Sequence, residues 1–213
     1  MAELLRHRLE IRLGGSSQRS KKSNRSATAA QSNSQSKENV AVLTEDCYYR
    51  RQCHLDMQQR ALTNYDHPDS LEHDLLASHL RELRSGRSVE VPQYDYVQHT
   101  RRSETTLVHP PALLLVEGIL ILSQEGLRDQ LDLKIFVDVP LDVCLNRRIE
   151  RDTRERGRTR ESIIEQFEKS VRPMFTEFTE PTRALADLVL PYREDSSAVV
   201  NDWVELLMSK LSS

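Results

Sequence analysis

Residues 16–39 read SSQRSKKSNRSATAAQSNSQSKEN and contain no Val, Ile, Leu, Met, Cys or aromatic side chain. A stretch of this kind buries almost nothing, so it supplies neither a core strand nor the apolar face of a packed helix. Upstream, residues 9–13 (LEIRL) alternate apolar and charged. That pattern suits a half-exposed strand and not one buried on both faces. Residues 1–39 are therefore expected to form an irregular N-terminal segment, and residues 40–213 a single α/β domain.

Composition narrows the partners. The formal net charge of −3 gives no global attraction to nucleic acid. The longest apolar candidate, around residues 112–116, is strand-sized, so no membrane span is expected. The opening MAELLRHRLEIRL carries charges through its apolar part, which argues against a secretory leader and for a cytoplasmic protein. Cys47, Cys53 and Cys144 form no CxxC pair and no even framework, so they are expected as reduced thiols.

Order is expected from Val40, where VAVL reads as a short buried strand. Residues 69–84 predict a helix with Asp69 as N-cap and Glu72 at capping-box spacing. Leu71, Leu75, Leu76, Leu80 and Leu83 would line its apolar face, and Gly86 would stop it. Residues 88–108 carry β-type patches that predict a hairpin outside the main sheet. ALLLVEG at 112–118 and LKIFVDV at 133–139 are continuous apolar runs ending in an acid, the pattern of buried parallel strands with a carboxylate at the C-terminal edge. Helix is expected from Leu141 and over 160–170, a last strand at 187–191, and a terminal helix through Val200, Trp203 and Leu207. Alternating strands and helices imply a parallel sheet covered on both faces.

Asp46 and Glu117 both follow strands, where ligands bind in open parallel sheets. Asp46 could take a proton from a substrate hydroxyl, and Glu117 could orient Mg²⁺; a solvent-facing turn carboxylate is the other reading of each. Asp138 reads as structural. NYDHPDS (64–70) and YDYVQHTR (94–101) concentrate Asp66, Tyr94 and His99, either as turn and hairpin residues or as a surface for a planar base. His99 has no His or Cys at ligand spacing. Residues 146–162 hold seven arginines among four acids. Arg147, Arg151 and Arg154 can share one helix face, with Arg148 beside Arg151. A solvated, salt-bridged helix and a lid over phosphates both fit this pattern.

Together TEDCYY, TNYDHPDS, VPQYDYVQHTR, LLVEGILIL, IFVDVPLDVCLNRRIERDTRERGR and VRPMFTEFTEPTRALADLVLP resemble the uridine kinase (uridine–cytidine kinase) family of P-loop kinases. The resemblance covers residues 40 to about 192. It implies an α/β P-loop fold with a small hairpin at 88–108 and a lid at 146–162. It also implies transfer of the γ-phosphate of ATP or GTP, with Mg²⁺, to uridine or cytidine in pyrimidine salvage. Carried over residue by residue, Asp46 resembles the general base and a metal-shell ligand, and Glu117 the Mg²⁺-organising acid. Tyr49 lies near substrate, Asp66 binds ribose hydroxyls, and Tyr94 and His99 recognise the base. Arg148, Arg151, Arg156 and Arg158 match lid arginines, and Gln166 a substrate-side position. Homo-oligomers, commonly tetramers, and inhibition by CTP or UTP are also implied.

The resemblance fails at the phosphate loop. The family carries an apolar strand followed by G-x-x-x-x-G-K-[ST]; here Gly15 precedes SSQRSKKSN. Lys21, Lys22 and Ser23 fit the Lys and hydroxyl positions only in a register that places Ser20 or Lys21 where the second glycine belongs. Those glycines let backbone N–H groups wrap phosphate, so a side chain there strains the turn. Two expectations follow: impaired phosphoryl transfer, or an inactive nucleoside-binding or oligomerising relative. The spacing from Gly15 to Asp46 is nearly the family's own although the residues between are foreign to it, as a shifted reading frame would leave them.

Overall fold

The computed structural model describes residues 40–193 and 196–211. The strand expected at 9–13, the segment 16–39, and Gly15, Lys21, Lys22 and Ser23 lie outside the described residues.

Strand β1 (Val40–Thr44) runs into a 3₁₀ turn (Glu45–Tyr48), followed by a short helix α1 (Met57–Ala61) and helix α2 (His73–Arg84). Strands β2 (Val89–Asp95) and β3 (Thr100–Val108) form an antiparallel pair of their own. Then come β4 (Leu113–Glu117), the single turn α3 (Glu125–Arg128), β5 (Ile135–Asp138) and α4 (Leu141–Arg156). Helix α5 (Arg160–Gln166), β6 (Leu188–Pro191) and α6 (Ser196–Leu211) complete the order.

Two expectations need correction at α2. The helix begins at His73, not at 69, and Asp69 caps nothing. Pro68 starts a separate 3₁₀ turn in which His67 Nδ1 accepts the Asp69 N–H at 3.1 Å. Leu71 is held extended by a β-bridge to Tyr49. The Glu72 carboxylate, free to close a capping box in an isolated helix, instead accepts from Arg101 Nη1 at 2.5 Å. Tertiary partners outcompete the local motif. The C-terminal end forms as the sequence implies. Gly86 takes φ +83°, the Gly86 N–H reaches Leu83 O at 3.0 Å, and the Arg87 N–H reaches Glu82 O at 2.9 Å, which is a Schellman closure.

The helix expected over 160–170 is also longer. Helical turns continue through 167–185 with π-type segments at Phe167–Val171 and Phe175–Thr179. Pro173 and Pro181 stand within this run and lack the N–H that a regular α-helix needs. Widened turns carry the chain past such gaps.

The parallel strands are where expected, but among the described residues they form two pairs and not one sheet. β1 pairs with β4 in the register Val40↔Leu113 to Thr44↔Glu117, and β5 pairs with β6 from Ile135↔Leu188 to Asp138↔Pro191. A cavity of about 1340 Å³ is lined by Leu113 to Glu117 of β4 and Ile135 to Val137 of β5. Consequently every residue of β4 is half-buried and Val137 is exposed, where the apolar runs imply full burial. In the main core Leu43, Tyr48, Leu76, Leu80, Leu83 and Leu120 pack together, and Leu80 and Leu83 also border the cavity. Val200, Val204 and Leu207 of α6 pack against Val40, Leu113 and Ile135, so one helix touches strands of both pairs. Full burial of a Leu or Val side chain contributes about 1.5–3 kcal/mol, so α6 ties the two pairs together.

Candidate active site

Asp46 sits in the turn after β1 and Glu117 ends β4. Because Thr44 and Glu117 are register partners, both acids emerge at the same C-terminal edge. Burial pushes the Asp46 carboxyl above its ordinary range; hydrogen bonds from Tyr96 and Tyr49 and the charges of Arg151 and Arg156 oppose that rise. Tyr96 Oη donates to Asp46 Oδ2 at 3.3 Å. The Glu117 carboxyl is also raised, first by burial and further by the charges of Asp46 and Glu45, against a hydrogen bond from Thr44. The two acids are close enough to feel one another.

A third carboxylate organises this edge. Glu45 is 1% exposed. Its Oε2 accepts the Leu120 N–H at 3.0 Å, and its Oε1 lies 2.9 Å from His73 Nε2. It occupies the space above Gly118, where a Cβ would lie 2.7 Å from Glu45 Cδ and closer still to its Oε2. Glu45 thereby fastens the loop after β4 to the turn after β1.

Beside the acids is an aromatic cleft. Tyr49 lies 5.0 Å from Tyr94 and 5.3 Å from Tyr65, ring centre to ring centre, and Tyr65 stacks on His99 at 5.5 Å. The Tyr94 hydroxyl is buried without a hydrogen-bond partner. His99 takes φ +49° at the hairpin tip, a left-handed conformation uncommon outside glycine and associated with functional sites. The tip is held from below: Arg60 Nη1 donates to Gln98 O at 3.0 Å, and the Gln52 N–H to Thr100 Oγ1 at 3.1 Å. Asp66 lies against the same region. Burial raises its carboxyl and the Arg148 guanidinium, 4.0 Å away, partly offsets this.

The arginines of α4 and of the turn after it divide by partner and not by helix face. Arg147 lies over the Tyr192 ring at 5.1 Å, and Arg154 pairs with Glu155 at 2.6 Å. Arg148, Arg151, Arg156 and Arg158 turn instead toward Asp152, which is fully buried. Gln166 Oε1 accepts from Arg158 Nη1 at 2.6 Å and from Arg148 Nη2 at 3.5 Å. Arg156 also lies 5.8 Å from the centre of the Tyr96 ring, linking this cluster to the cleft. The large cavity reaches Asp66, Glu117, Arg148 and Arg151. Asp138, read as structural, pairs with Arg183 at 2.8 Å.

Four of these residues carry no sequence signal strong enough to single them out: Glu45, Tyr65, Tyr96 and Asp152. Tyr96 and Tyr65 lie within the segments that drew attention, two residues from Tyr94 and one from Asp66, so aromatic density was the available signal. Nothing local distinguishes Glu45 or Asp152 from other acids in charged company.

Paired parallel strands flanked by helices, with acids at their C-terminal edge and clustered guanidinia opposite, define an α/β kinase fold. A solved phosphoribulokinase from Rhodobacter spheroides superposes with a TM-score of 0.52 at 15% identity, over 72% of this chain and 60% of that one, which supports the fold alone. The sequence profile of the Phosphoribulokinase / Uridine kinase family matches residues 14–198, and the chain belongs to that family. It is 54% identical to a uridine kinase of Proteus mirabilis (strain HI4320) over 153 residues, 72% of each chain. It is 48% identical to a uridine kinase of Vibrio vulnificus (strain YJ016) over 172 residues, 81% of this chain and 80% of that one. Among the described residues no helix is long and apolar enough to cross a membrane.

Proposed function

We propose that the chain transfers the γ-phosphoryl group of ATP or GTP to the 5′-hydroxyl of uridine or cytidine, at a rate held down by its altered phosphate loop. The observation that carries this reading is the pairing of Asp46 and Glu117 at adjacent strand ends, beside an aromatic cleft and opposite four guanidinia. Phosphoryl transfer needs little beyond such positioning and charge.

In this reading the nucleoside base lies against Tyr49 and Tyr94, with His99 and the unpartnered Tyr94 hydroxyl as hydrogen-bonding groups. Asp66 accepts from the ribose hydroxyls. The ionised Asp46 carboxylate accepts the proton of the 5′-hydroxyl as that oxygen attacks; its raised affinity for protons suits a base. Arg148, Arg151, Arg156 and Arg158 meet the phosphate oxygens. Asp46 and Glu117, brought to one strand edge with the Asp46 charge raising Glu117, would supply an oxygen donor set of the kind that holds Mg²⁺ through one or two carboxylates. A Mg²⁺ held there would supply positive charge against the phosphates.

The second reading, a nucleoside-binding subunit without turnover, draws on one feature: SSQRSKKSN in place of a glycine-framed phosphate loop. Transfer of labelled γ-phosphate to uridine, measured beside calorimetric uridine binding, separates the two. Slow Mg²⁺-dependent turnover fits the first reading, and binding without turnover fits the second. Turnover equal to that of a variant given a GxxxxGKS loop would refute the impairment.

A further inference from the structure

We infer that Asp152 is a positioning residue whose buried carboxylate gathers Arg148, Arg151, Arg156 and Arg158 into one face for a polyphosphate ligand. The ligand class rests on the proposed phosphoryl transfer; the gathering rests on geometry. Asp152 Oδ1 lies 2.8 Å from Arg151 Nε and 3.4 Å from Arg156 Nη1. Its Oδ2 lies 3.5 Å from Arg158 Nη1 and 3.8 Å from Arg148 Nε.

Of these four approaches, only Arg151 makes a hydrogen bond. Asp152 Oδ2 and Arg148 Nε are both buried without a hydrogen-bond partner. The carboxylate thus holds the cations by charge while using few of their N–H groups. A guanidinium carries five such donors, and most remain for another ligand. Four cations against the Asp152 carboxylate leave an excess of three positive charges; Asp66, 4.0 Å from Arg148, and Asp46, which feels the charges of Arg151 and Arg156, reduce that excess to one. The charge left uncompensated and the unused N–H groups favour an anionic occupant with several acceptor oxygens.

The backbone of the same residue shapes the cluster. Asp152 O accepts the N–H of Gly157 and, at 3.2 Å, that of Arg158. Gly157 takes φ +62°, which closes α4 and returns the chain. Arg148 and Arg156 flank Asp152 at four residues on either side along α4, and the Gly157 turn brings Arg158 back to join them.

The sign of one substitution separates positioning from plain electrostatics. Asp152→Asn removes a negative charge from an anion site. Coulomb attraction alone predicts tighter binding; loss of the gathering group predicts weaker binding, because the four guanidinia then repel one another. Inorganic tripolyphosphate is titrated into the full chain by calorimetry, with circular dichroism as the check on folding. Asp152→Asn is expected to weaken binding by about tenfold. Asp152→Glu keeps the charge but displaces it and is expected to weaken binding by about threefold; it decides the question alone if Asp152→Asn does not fold. Arg154→Gln, which removes an exposed cation paired with Glu155, is expected to stay within about twofold. Unchanged or tighter binding in a folded Asp152→Asn overturns the inference. So does unchanged binding in Asp152→Glu should the first variant fail to fold, or a wild-type chain that does not bind tripolyphosphate. A chain that follows the expected series yet phosphorylates no nucleoside refutes the proposed reaction and leaves the role of Asp152 standing.

Discussion

Gly118→Ala should unfold the acid-bearing edge at a cost out of proportion to one methyl group. The backbone at Gly118 is not left-handed, so the penalty is purely one of space. The new Cβ would lie 2.7 Å from Glu45 Cδ and nearer to Glu45 Oε2 and Cβ. Contact with Cβ rules out relief by swinging only the end of the side chain. Glu45 must move as a whole and give up the Leu120 N–H at 3.0 Å and His73 at 2.9 Å. A hydrogen bond to a charged group contributes about 1.5–3 kcal/mol, and a buried carboxylate left unpaired costs more, so about 3–5 kcal/mol is expected. In a chain of this size 1 kcal/mol shifts Tm by about 2–4 °C, so even the lower figure implies a fall of about 6–12 °C. Thermal unfolding followed by circular dichroism measures it. The same substitution in a Glu45→Gly background should cost under about 1 kcal/mol, since the obstructing Cβ and carboxylate are then both gone. Equal costs in both backgrounds, or a Tm unchanged in the first, would refute the steric argument.

Tyr96→Phe removes a hydrogen bond that favours the ionised form of Asp46. The Asp46 carboxyl, already raised, should rise further, so the acid limb of kcat/KM for uridine moves to higher pH; a pH–rate profile with an unmoved limb would contradict the geometry. Asp46→Asn should abolish turnover yet raise Tm at pH 7. Folding raises the proton affinity of Asp46, so its contribution to stability is present at low pH and is lost as pH rises through the folded-state pKa. Asparagine escapes that loss, and its advantage over wild type should vanish below the ordinary carboxyl pKa of 3.8. Melts of both proteins at pH 3 and pH 7 test this, and a lower Tm for the variant at pH 7 would count against it.

Much of this architecture was legible because it depends on local period and punctuation. Apolar runs ending in an acid marked β4 and β5, the leucine spacing marked α2, and Gly86 marked its end. Asp46 and Glu117 could be placed at strand ends because the apolar runs stop there, but the same pattern fits a turn carboxylate, as with Asp138, which pairs with Arg183. The roles of Asp66, Tyr94, His99 and the lid arginines came from family resemblance, since residue type alone leaves a turn or a solvated helix equally open. The Asp69 cap misled because Arg101, far along the chain, claimed Glu72.

The sequence by itself determined which segments become strands and helices and which acids stand at strand ends, since those follow from neighbours a few residues apart. Only the tertiary structure decided that, among the described residues, β1 pairs with β4 and β5 with β6, that Glu45 closes over Gly118, and that four of seven arginines converge on Asp152. The physical reason is that burial and charge pairing join residues distant in the chain. Glu45 and Leu120 are 75 positions apart, and no local pattern encodes their contact.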